Sequence, residues 1–283
     1  MFESLTKRNL IIMSTIHATH TASITSILAQ IKENEITIDE AESQIRLLRF
    51  KEISRVARID DHRAERTGVP EAILAEGKSS DDLVRIVQAC LADGMRMMIT
   101  RVSDTQADTI RSSIDALTME WNERARTFVC ARDAAPIERT GGRVGIITAG
   151  TADIPVAEEA RIAAEEMGCV VETIYDAGAA GIHRLFPDLG SMIEKGVDAI
   201  LVAAGRDGTL PTVVAGLVPV PVIGVPVSVG YGAGGRGEAA LLSMLQSCSV
   251  LAVVNIDAGF VAGAFAARIA NLAAAARNPA QVL

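Results

Sequence analysis

The side chains best suited to chemistry in this sequence stand beside glycines. Thr148-Ala-Gly150-Thr-Ala-Asp153 follows the apolar run Val144–Thr148 and precedes Ile154-Pro155. That order predicts a strand, a glycine turn and a helix whose first turn accepts proline without losing a hydrogen bond. Such a turn aims backbone N–H groups at an anion. Thr151 and Asp153 can either cap the helix or touch a ligand. Similar segments follow other apolar runs: Asp176-Ala-Gly178, Gly205-Arg-Asp-Gly208, Ser228-Val-Gly-Tyr-Gly232 and Asn255-Ile-Asp257. In the first half, Gly77-Lys78-Ser79 offers a lysine just before a helix. It is no P-loop, because Ala72 stands where the first glycine is required. Asp60, Asp61, His62, Arg63 and Arg66 form a dense polar cluster, read either as part of a site or as an ion-pair network. The four cysteines (Cys90, Cys130, Cys169, Cys248) contain no C-x-x-C, which excludes the common zinc and thioredoxin spacings. His17 and His20 offer too few ligands for a metal, and no metal-ligating residue is assigned.

These loops need a scaffold, and the hydrophobic pattern supplies one. After Gly141, strands at 143–149, 170–175, 198–203, 221–226 and 250–254 alternate with helices at 154–167, 182–194, 209–217, 236–247 and 260–276. Short apolar runs between helices mean an α/β fold with a parallel sheet covered on both faces. Ligands bind such sheets at the carboxyl ends of the strands, where the glycine segments fall. Before Gly141 a helix begins at Thr21, and Thr37-Ile-Asp-Glu40 is a capping box for a second helix to about Phe50. Strands at 72–75, 95–102 and 126–130, with helices at 81–91 and 104–116, make a small α/β unit. Twenty of the 23 glycines lie at or after Gly141, while 41 of the 62 charged residues lie before it. That shift places a boundary, giving an arm over 1–20, an N-terminal helical and α+β domain over 21–140, and an α/β domain over 141–283. A net charge of −8 argues against a general nucleic-acid or acidic-membrane binder. No signal peptide is visible, and Asn255, Asp257, Arg268 and Asn271 break the apolar C-terminal region, so a cytoplasmic protein without a membrane span is expected.

The run from Val144 to about Leu272 resembles the PurE fold of phosphoribosylaminoimidazole carboxylases. Thr148-Ala-Gly-Thr-Ala-Asp153 stands where that family has Gly-Ser-x-Ser-Asp, and Ala203-Ala-Gly-Arg-Asp-Gly-Thr-Leu-Pro211 where it has Ala-Gly-x-Gly-Ala-Ala-His-Leu-Pro. The LarB family of nickel-pincer-cofactor synthases, which joins an N-terminal region to a PurE-like domain, is more similar still. Asp60–Glu71, Glu76-Gly-Lys78, Thr100-Arg101-Val102, Leu217–Pro226, Ser228–Gly232, Ser247-Cys248 and Val253–Asp257 look like its motifs, over about residues 24–275.

This resemblance implies carboxylation of the pyridinium ring of nicotinic acid adenine dinucleotide. Cleavage of the phosphoanhydride then gives pyridinium-3,5-biscarboxylic acid mononucleotide and AMP, with CO2 or bicarbonate as co-substrate. It implies that Cys248 adds covalently to the ring. The resulting dihydropyridine has an enamine carbon able to attack CO2. A cysteine at a helix C-terminus needs activation from the cationic ring or a nearby base. Asp153 is expected to handle protons or orient substrate. Asp207 stands where the family has Glu, within Arg206-Asp-Gly in place of Met-Glu-Gly. Lys78, Thr100 and Arg101 would hold phosphates or a carboxylate, and Gly150, Thr151, Gly205, Ser228, Gly230 and Gly232 would line the dinucleotide site. A homo-octamer is implied, and the cleaved phosphoanhydride makes Mg²⁺ an expected cofactor. Ala258-Gly-Phe-Val261 and Gly234-Gly235 depart from the family's pattern.

Three other readings compete. A purine-pathway aminoimidazole ribonucleotide carboxylase or mutase keeps His183-Arg184, but Thr209 replaces the histidine of the Ala-Ala-His-Leu-Pro run. A Rossmann module is suggested by Gly232-x-Gly234-x-x-Gly237, though that turn does not follow its strand directly. The third is a non-catalytic nucleotide-binding regulator.

Overall fold

The computed structural model describes residues 24–48, 51–53, 56–60, 63–116, 118–132 and 136–277. The arm over 1–20, with His17 and His20, lies outside the described residues, as do Asp61 and His62. The chain forms two compact units, residues 1–67 and 68–283.

The first unit contains helices α1 (Ile24–Lys32) and α2 (Ile38–Leu48), the hairpin β1 (Lys51–Ile53) and β2 (Ala57–Ile59), and the short α3 (Arg63–Thr67). Thr37 and Glu40 close the capping box expected before α2: the Glu40 N–H donates to Thr37 Oγ1 and the Thr37 N–H to Glu40 Oε2. Arg66 pairs with Asp60, so this part of the polar cluster is an ion pair.

Two sheets make up the second unit. The first is mixed, in the order β3-β4-β6-β5, from β3 (Ala72–Leu74), β4 (Met97–Thr100), β5 (Thr118–Asn122) and β6 (Thr127–Ala131), with α4 (Ser80–Ala92) and α5 (Asp104–Ser113) between them. The hydrophobic periodicity predicts neither β5 nor the β1–β2 hairpin. Thr118–Asn122 is a half-buried edge strand of mixed polarity, too short to be distinguished from a loop.

The second sheet is wholly parallel, in the order β11-β10-β9-β7-β8. It is built from β7 (Arg143–Thr148), α6 (Ile154–Glu166), β8 (Val170–Ile174), α7 (Leu185–Glu194) and β9 (Ala199–Ala204). The chain continues through α8 (Thr209–Ala215), β10 (Val222–Pro226), α9 (Glu238–Leu245), β11 (Ala252–Val253) and α10 (Gly259–Arg277). The helix expected from residue 182 begins as a 3-10 turn over Ala179–Arg184, broken at Gly181, and becomes α-helical only from Leu185. Central strands β7, β9 and β10 are apolar and buried, as a sheet sandwiched between helices requires. On one face α6 and α10 enclose Ile146, Leu201 and Val225; on the other α7, α8 and α9 enclose Ile147, Val202 and Leu210. This is a three-layer α/β domain.

Helix α10 is long and apolar enough by composition to cross a membrane. Its alanines are instead spent on close packing: Ala262, Ala266, Ala267 and Ala270 are fully buried against α6 and the sheet. Gly259 and Gly263 let the two helix backbones touch. A Cβ on Gly263 would sit well inside van der Waals distance of Ala160 O, a backbone atom that cannot swing aside. Gly263→Ala is therefore expected to lower the thermal midpoint at a cost of about 3 kcal/mol. Helix propensity alone would favour alanine by about 1 kcal/mol. A midpoint equal to or above wild type would show that this packing is not tight.

The mixed sheet lies on the outer side of α6, where Met98, Val129 and Ala125 meet Ile162 and Ala163. Arg96 clasps Glu166 at 2.7 and 3.0 Å. Glu158 takes hydrogen bonds from Arg161, Tyr175 and Asn122. Burial raises the Glu158 pKa, but these donors outweigh it and hold the carboxyl at about 2. A cleft of about 200 Å³ between β5 and α6 is lined by Trp121, Arg161, Glu165 and Glu166. Arg161 is already paired with Glu165, and Glu166 with Arg96.

Candidate functional site

Five loops leave the carboxyl ends of the parallel strands, and side-chain-to-backbone bonds tie them together. Asp153 is the central tie. Its Oδ2 accepts the Gly150 N–H at 2.8 Å, and its Oδ1 accepts the Gly205 N–H at 3.0 Å, joining the loops after β7 and β9. The side chain makes no capping bond to α6, so the helix-cap reading of Asp153 is replaced by a clamp between loops. Asp153 is only 5% exposed. Burial pushes its carboxyl above the usual range, while the two N–H donors pull the other way. Thr151 is exposed in the 3-10 turn Thr151–Asp153.

Gly205 must be glycine for a physical reason. A Cβ there would lie 2.5 Å from Val229 O and 3.2 Å from Asp153 Oδ1. The loop after β10, carrying Ser228, Gly230 and Gly232, thus presses on the loop after β9. Asp257 extends the chain of contacts, its Oδ1 accepting the Ser228 N–H at 2.8 Å. After β8, the Asp176 N–H donates to Thr148 Oγ1 at 3.0 Å, and Arg184 pairs with the Asp176 carboxylate at 2.9 Å.

Arg101, at the end of β4, reaches this edge from the mixed sheet. Its Nη2 donates to Asp257 O at 2.8 Å and its Nη1 to Glu76 at 3.3 Å. Thr100 is buried in β4, and its carbonyl accepts the Ala75 N–H. Lys78 is turned back onto Leu74 O at 2.7 Å. Buried Gln106 fixes the Lys78 loop by donating to Ala75 O and Lys78 O. Among the described residues no group of three or more His, Cys, Asp or Glu could hold a metal, so they build no Mg²⁺ cage of their own.

Backbone strain marks the same edge. Arg101, Asp176, Arg206 and Asp257 have φ of +53°, +59°, +50° and +55°, and each follows a strand. A left-handed non-glycine residue costs on the order of 1–3 kcal/mol and persists where its surroundings dictate it. Asp207 lies between Arg206 and Gly208, exposed, with one oxygen accepting the Thr209 hydroxyl at 2.7 Å. Arg206 lies over Tyr231, 4.8 Å from the ring centroid, and donates to its hydroxyl at 3.1 Å.

Cys248 stands apart from these loops. It is exposed, in the turn between α9 and β11, where the Ser249 N–H donates to Ser247 Oγ at 3.0 Å. Because β11 runs parallel to β10, that turn lies at the amino edge of the sheet. The five residues of β10 separate the two edges by roughly 16 Å at 3.3 Å per residue. Within one chain, Cys248 does not join Asp153 and Asp207. Nor does Gly232–Gly237 form a tight nucleotide turn: β10 ends at Pro226, α9 begins at Glu238, and the whole of 227–237 intervenes.

The structure gives contacts to Asp176, Asp257 and Tyr231, which lie in the glycine segments that the sequence singles out, and adds Glu159. A signal for the two aspartates exists: Asp-Ala-Gly occurs at 176–178 and again at 257–259, each time after a strand. Glu159 carries none.

A three-layer parallel α/β domain with its loops gathered at the carboxyl edge is the architecture of the PurE-like class, and the family matches point to a carboxylase or mutase. Residues 143–280 match the AIR carboxylase family model, and residues 50–132 match the LarB/PurE-like N-terminal domain. An uncharacterized protein of Methanocaldococcus jannaschii is 42% identical over 254 residues, 88% of this chain and 98% of that protein. The N5-carboxyaminoimidazole ribonucleotide mutase of Pyrococcus horikoshii is 33% identical over 131 residues, 46% of this chain and 72% of that enzyme. That of Mycobacterium tuberculosis strain H37Rv is 31% identical over 137 residues, 48% of this chain and 76% of that enzyme. The chain belongs to the LarB family, in which a LarB/PurE-like N-terminal domain precedes an AIR carboxylase domain.

Proposed function

We propose that the protein carboxylates the pyridinium ring of nicotinic acid adenine dinucleotide and cleaves its phosphoanhydride, releasing pyridinium-3,5-biscarboxylic acid mononucleotide and AMP. The observation that carries this reading is the joining of Arg101, from the LarB-type N-terminal region, to the Asp257–Ser228 loop of the PurE-like domain. A purine mutase domain alone would lack that arginine. Thr209, where a histidine stands in the purine carboxylases, also counts against the purine-pathway alternative.

In the reaction, the Cys248 thiolate adds to a ring carbon, and the C–S bond electrons neutralise the pyridinium. The neighbouring enamine carbon of the dihydropyridine attacks CO2 and forms the new C–C bond. Loss of the proton from that carbon, with the C–S pair returning to sulfur, restores the aromatic ring. The net exchange is a ring hydrogen for a carboxylate. Asp207, with one oxygen uncommitted at the mouth of the loops, is the proton acceptor. Asp153 is the positioning residue that fixes the Gly150 and Gly205 N–H groups. Water supplies the nucleophile for the phosphoanhydride. Mg²⁺ would arrive on the substrate's phosphates.

Since Cys248 lies on the amino edge and the loops on the carboxyl edge, the thiol is supplied by a second copy of the chain. A contact between unlike edges is heterologous and closes only as a ring, which suits a cyclic assembly such as the expected homo-octamer. Exposed Leu242, Leu245 and Val250 beside Cys248 give that edge an apolar surface. The setting is cytoplasmic, without nucleic-acid or membrane partners.

The test is to supply the dinucleotide and bicarbonate and weigh the products by mass spectrometry. AMP together with a mononucleotide heavier by one carboxyl group is expected. Unchanged dinucleotide from a folded, assembled protein would reject the proposal.

A further inference from the structure

Arg206 is held in an unfavourable conformation with its charge unmatched. Its φ of +50° is left-handed, although it carries a long side chain. The guanidinium has no carboxylate partner among the described residues; Tyr231 alone receives it, through the ring face and the hydroxyl. Tyr231 is itself 79% exposed, so the pair stands in solvent and is not buried packing. The two residues come from adjacent loops, after β9 and β10. Arg206 follows Gly205, whose N–H is fixed by Asp153. Gly230, one residue before Tyr231, faces the Arg206 backbone at ordinary contact distance, 3.8 Å from a built Cβ. The stack therefore stands over the mouth of the loop cluster.

We infer that Arg206, held by Tyr231, is a specificity-determining residue that binds an anionic group of the ligand, a phosphate or a carboxylate, at the mouth of the site. This deepens the proposed function and rests on it only for the identity of the full substrate. A guanidinium fork fits a carboxylate or phosphate edge with two parallel hydrogen bonds, and an aromatic face restricts the fork to one plane. Holding it over the ring lowers the entropy lost on binding. Arg206 stands where the family resemblance has methionine, which has no charge, so the subsite is a property of this chain.

Binding by titration calorimetry, without turnover, tests this on the full chain. The probes are inorganic pyrophosphate, and nicotinic acid adenine dinucleotide against its nicotinamide counterpart, which replaces the ring carboxylate by an amide. Arg206→Met should weaken binding of the recognised group by about ten- to a hundredfold in Kd, the range for a charged hydrogen bond. Arg206→Lys should fall between, and Tyr231→Phe should lose less than Arg206→Met. Arg206→Gly relieves the backbone while removing the charge, so weak binding with an unlowered thermal midpoint excludes misfolding as the cause.

If the phosphate is read, pyrophosphate binding falls and both dinucleotides suffer alike. If the ring carboxylate is read, wild type prefers the acid to the amide, and Arg206→Met erases the preference. Wild-type Kd values for every probe in Arg206→Met, or no binding of any probe to wild type, overturns the inference. Should pyrophosphate binding depend on Arg206 while the dinucleotide is never carboxylated, the anion subsite stands and the proposed reaction falls.

Discussion

Cys248→Ala and Gly230→Trp proteins, each inactive alone, should recover activity when their subunits are mixed. Alanine removes the nucleophile that adds to the ring, so carboxylation should fall by about three orders of magnitude or more. Tryptophan at Gly230 attacks the other edge. The glycine has no positive φ, and a Cβ there meets nothing closer than 3.8 Å, so a large side chain can be carried without breaking the loop. It fills the mouth beside Arg206. In mixed assemblies some sites combine intact loops from one copy with Cys248 from its neighbour. Random assembly at equal amounts gives about a quarter of the sites in that state, from two independent halves across a heterologous interface. Co-expression with two tags, followed by the product assay, reads this. No recovery in assemblies shown to contain both chains would mean that thiol and loops must belong to one chain, which the topology of β10 and β11 does not allow without rearrangement.

Glu159→Gln should gain stability over wild type as pH rises through neutrality. Glu159 is 6% exposed on α6, and its carboxylate accepts the Phe260 N–H at the start of α10. Burial raises its pKa from 4.5 to about 7; Arg101 and the Phe260 N–H oppose the rise, and Asp257 adds to it. Below pH 4.5 the carboxyl is protonated in both folded and unfolded chains, and its contribution is whole. As pH rises toward 7 the unfolded chain ionises first, so stability is lost across that window. At about 1.4 kcal/mol per pH unit the loss reaches about 3 kcal/mol above pH 7. Glutamine keeps the acceptor and removes the titration. The variant's advantage in denaturant melts should therefore grow from pH 5 to pH 8. Parallel profiles would show that Glu159 is ionised in the folded protein near neutrality. Glu158 acts in the opposite sense: its lowered pKa gives stability that is lost as pH falls from 4.5 through about 2.

The parallel sheet was legible because buried strands such as Ala199–Ala204 are unbroken apolar runs, and the glycines after them punctuate the chain. What stayed hidden depends on residues distant in sequence. The bond from Gly205 to Asp153 spans 52 positions, and Asp153 looks from local sequence like a helix cap. The Arg206–Tyr231 stack joins two loops 25 positions apart. Nothing in the local sequence marks Glu159, yet it is buried on α6 beside the start of α10. Conversely, the separation of Cys248 from the site follows from strand order: in a parallel sheet, every helix-to-strand turn lies at the amino edge. A motif places Cys248 near the chemistry, whereas topology sets it on the opposite edge of the sheet from the loops.

The most direct test offers wild-type protein isotope-labelled bicarbonate with nicotinic acid adenine dinucleotide and aminoimidazole ribonucleotide together, and follows the label by mass spectrometry. Label in a pyridinium mononucleotide, with AMP formed in equal amount and no labelled purine precursor, is the expected result. Label in the aminoimidazole ribonucleotide, with the dinucleotide intact, would contradict it.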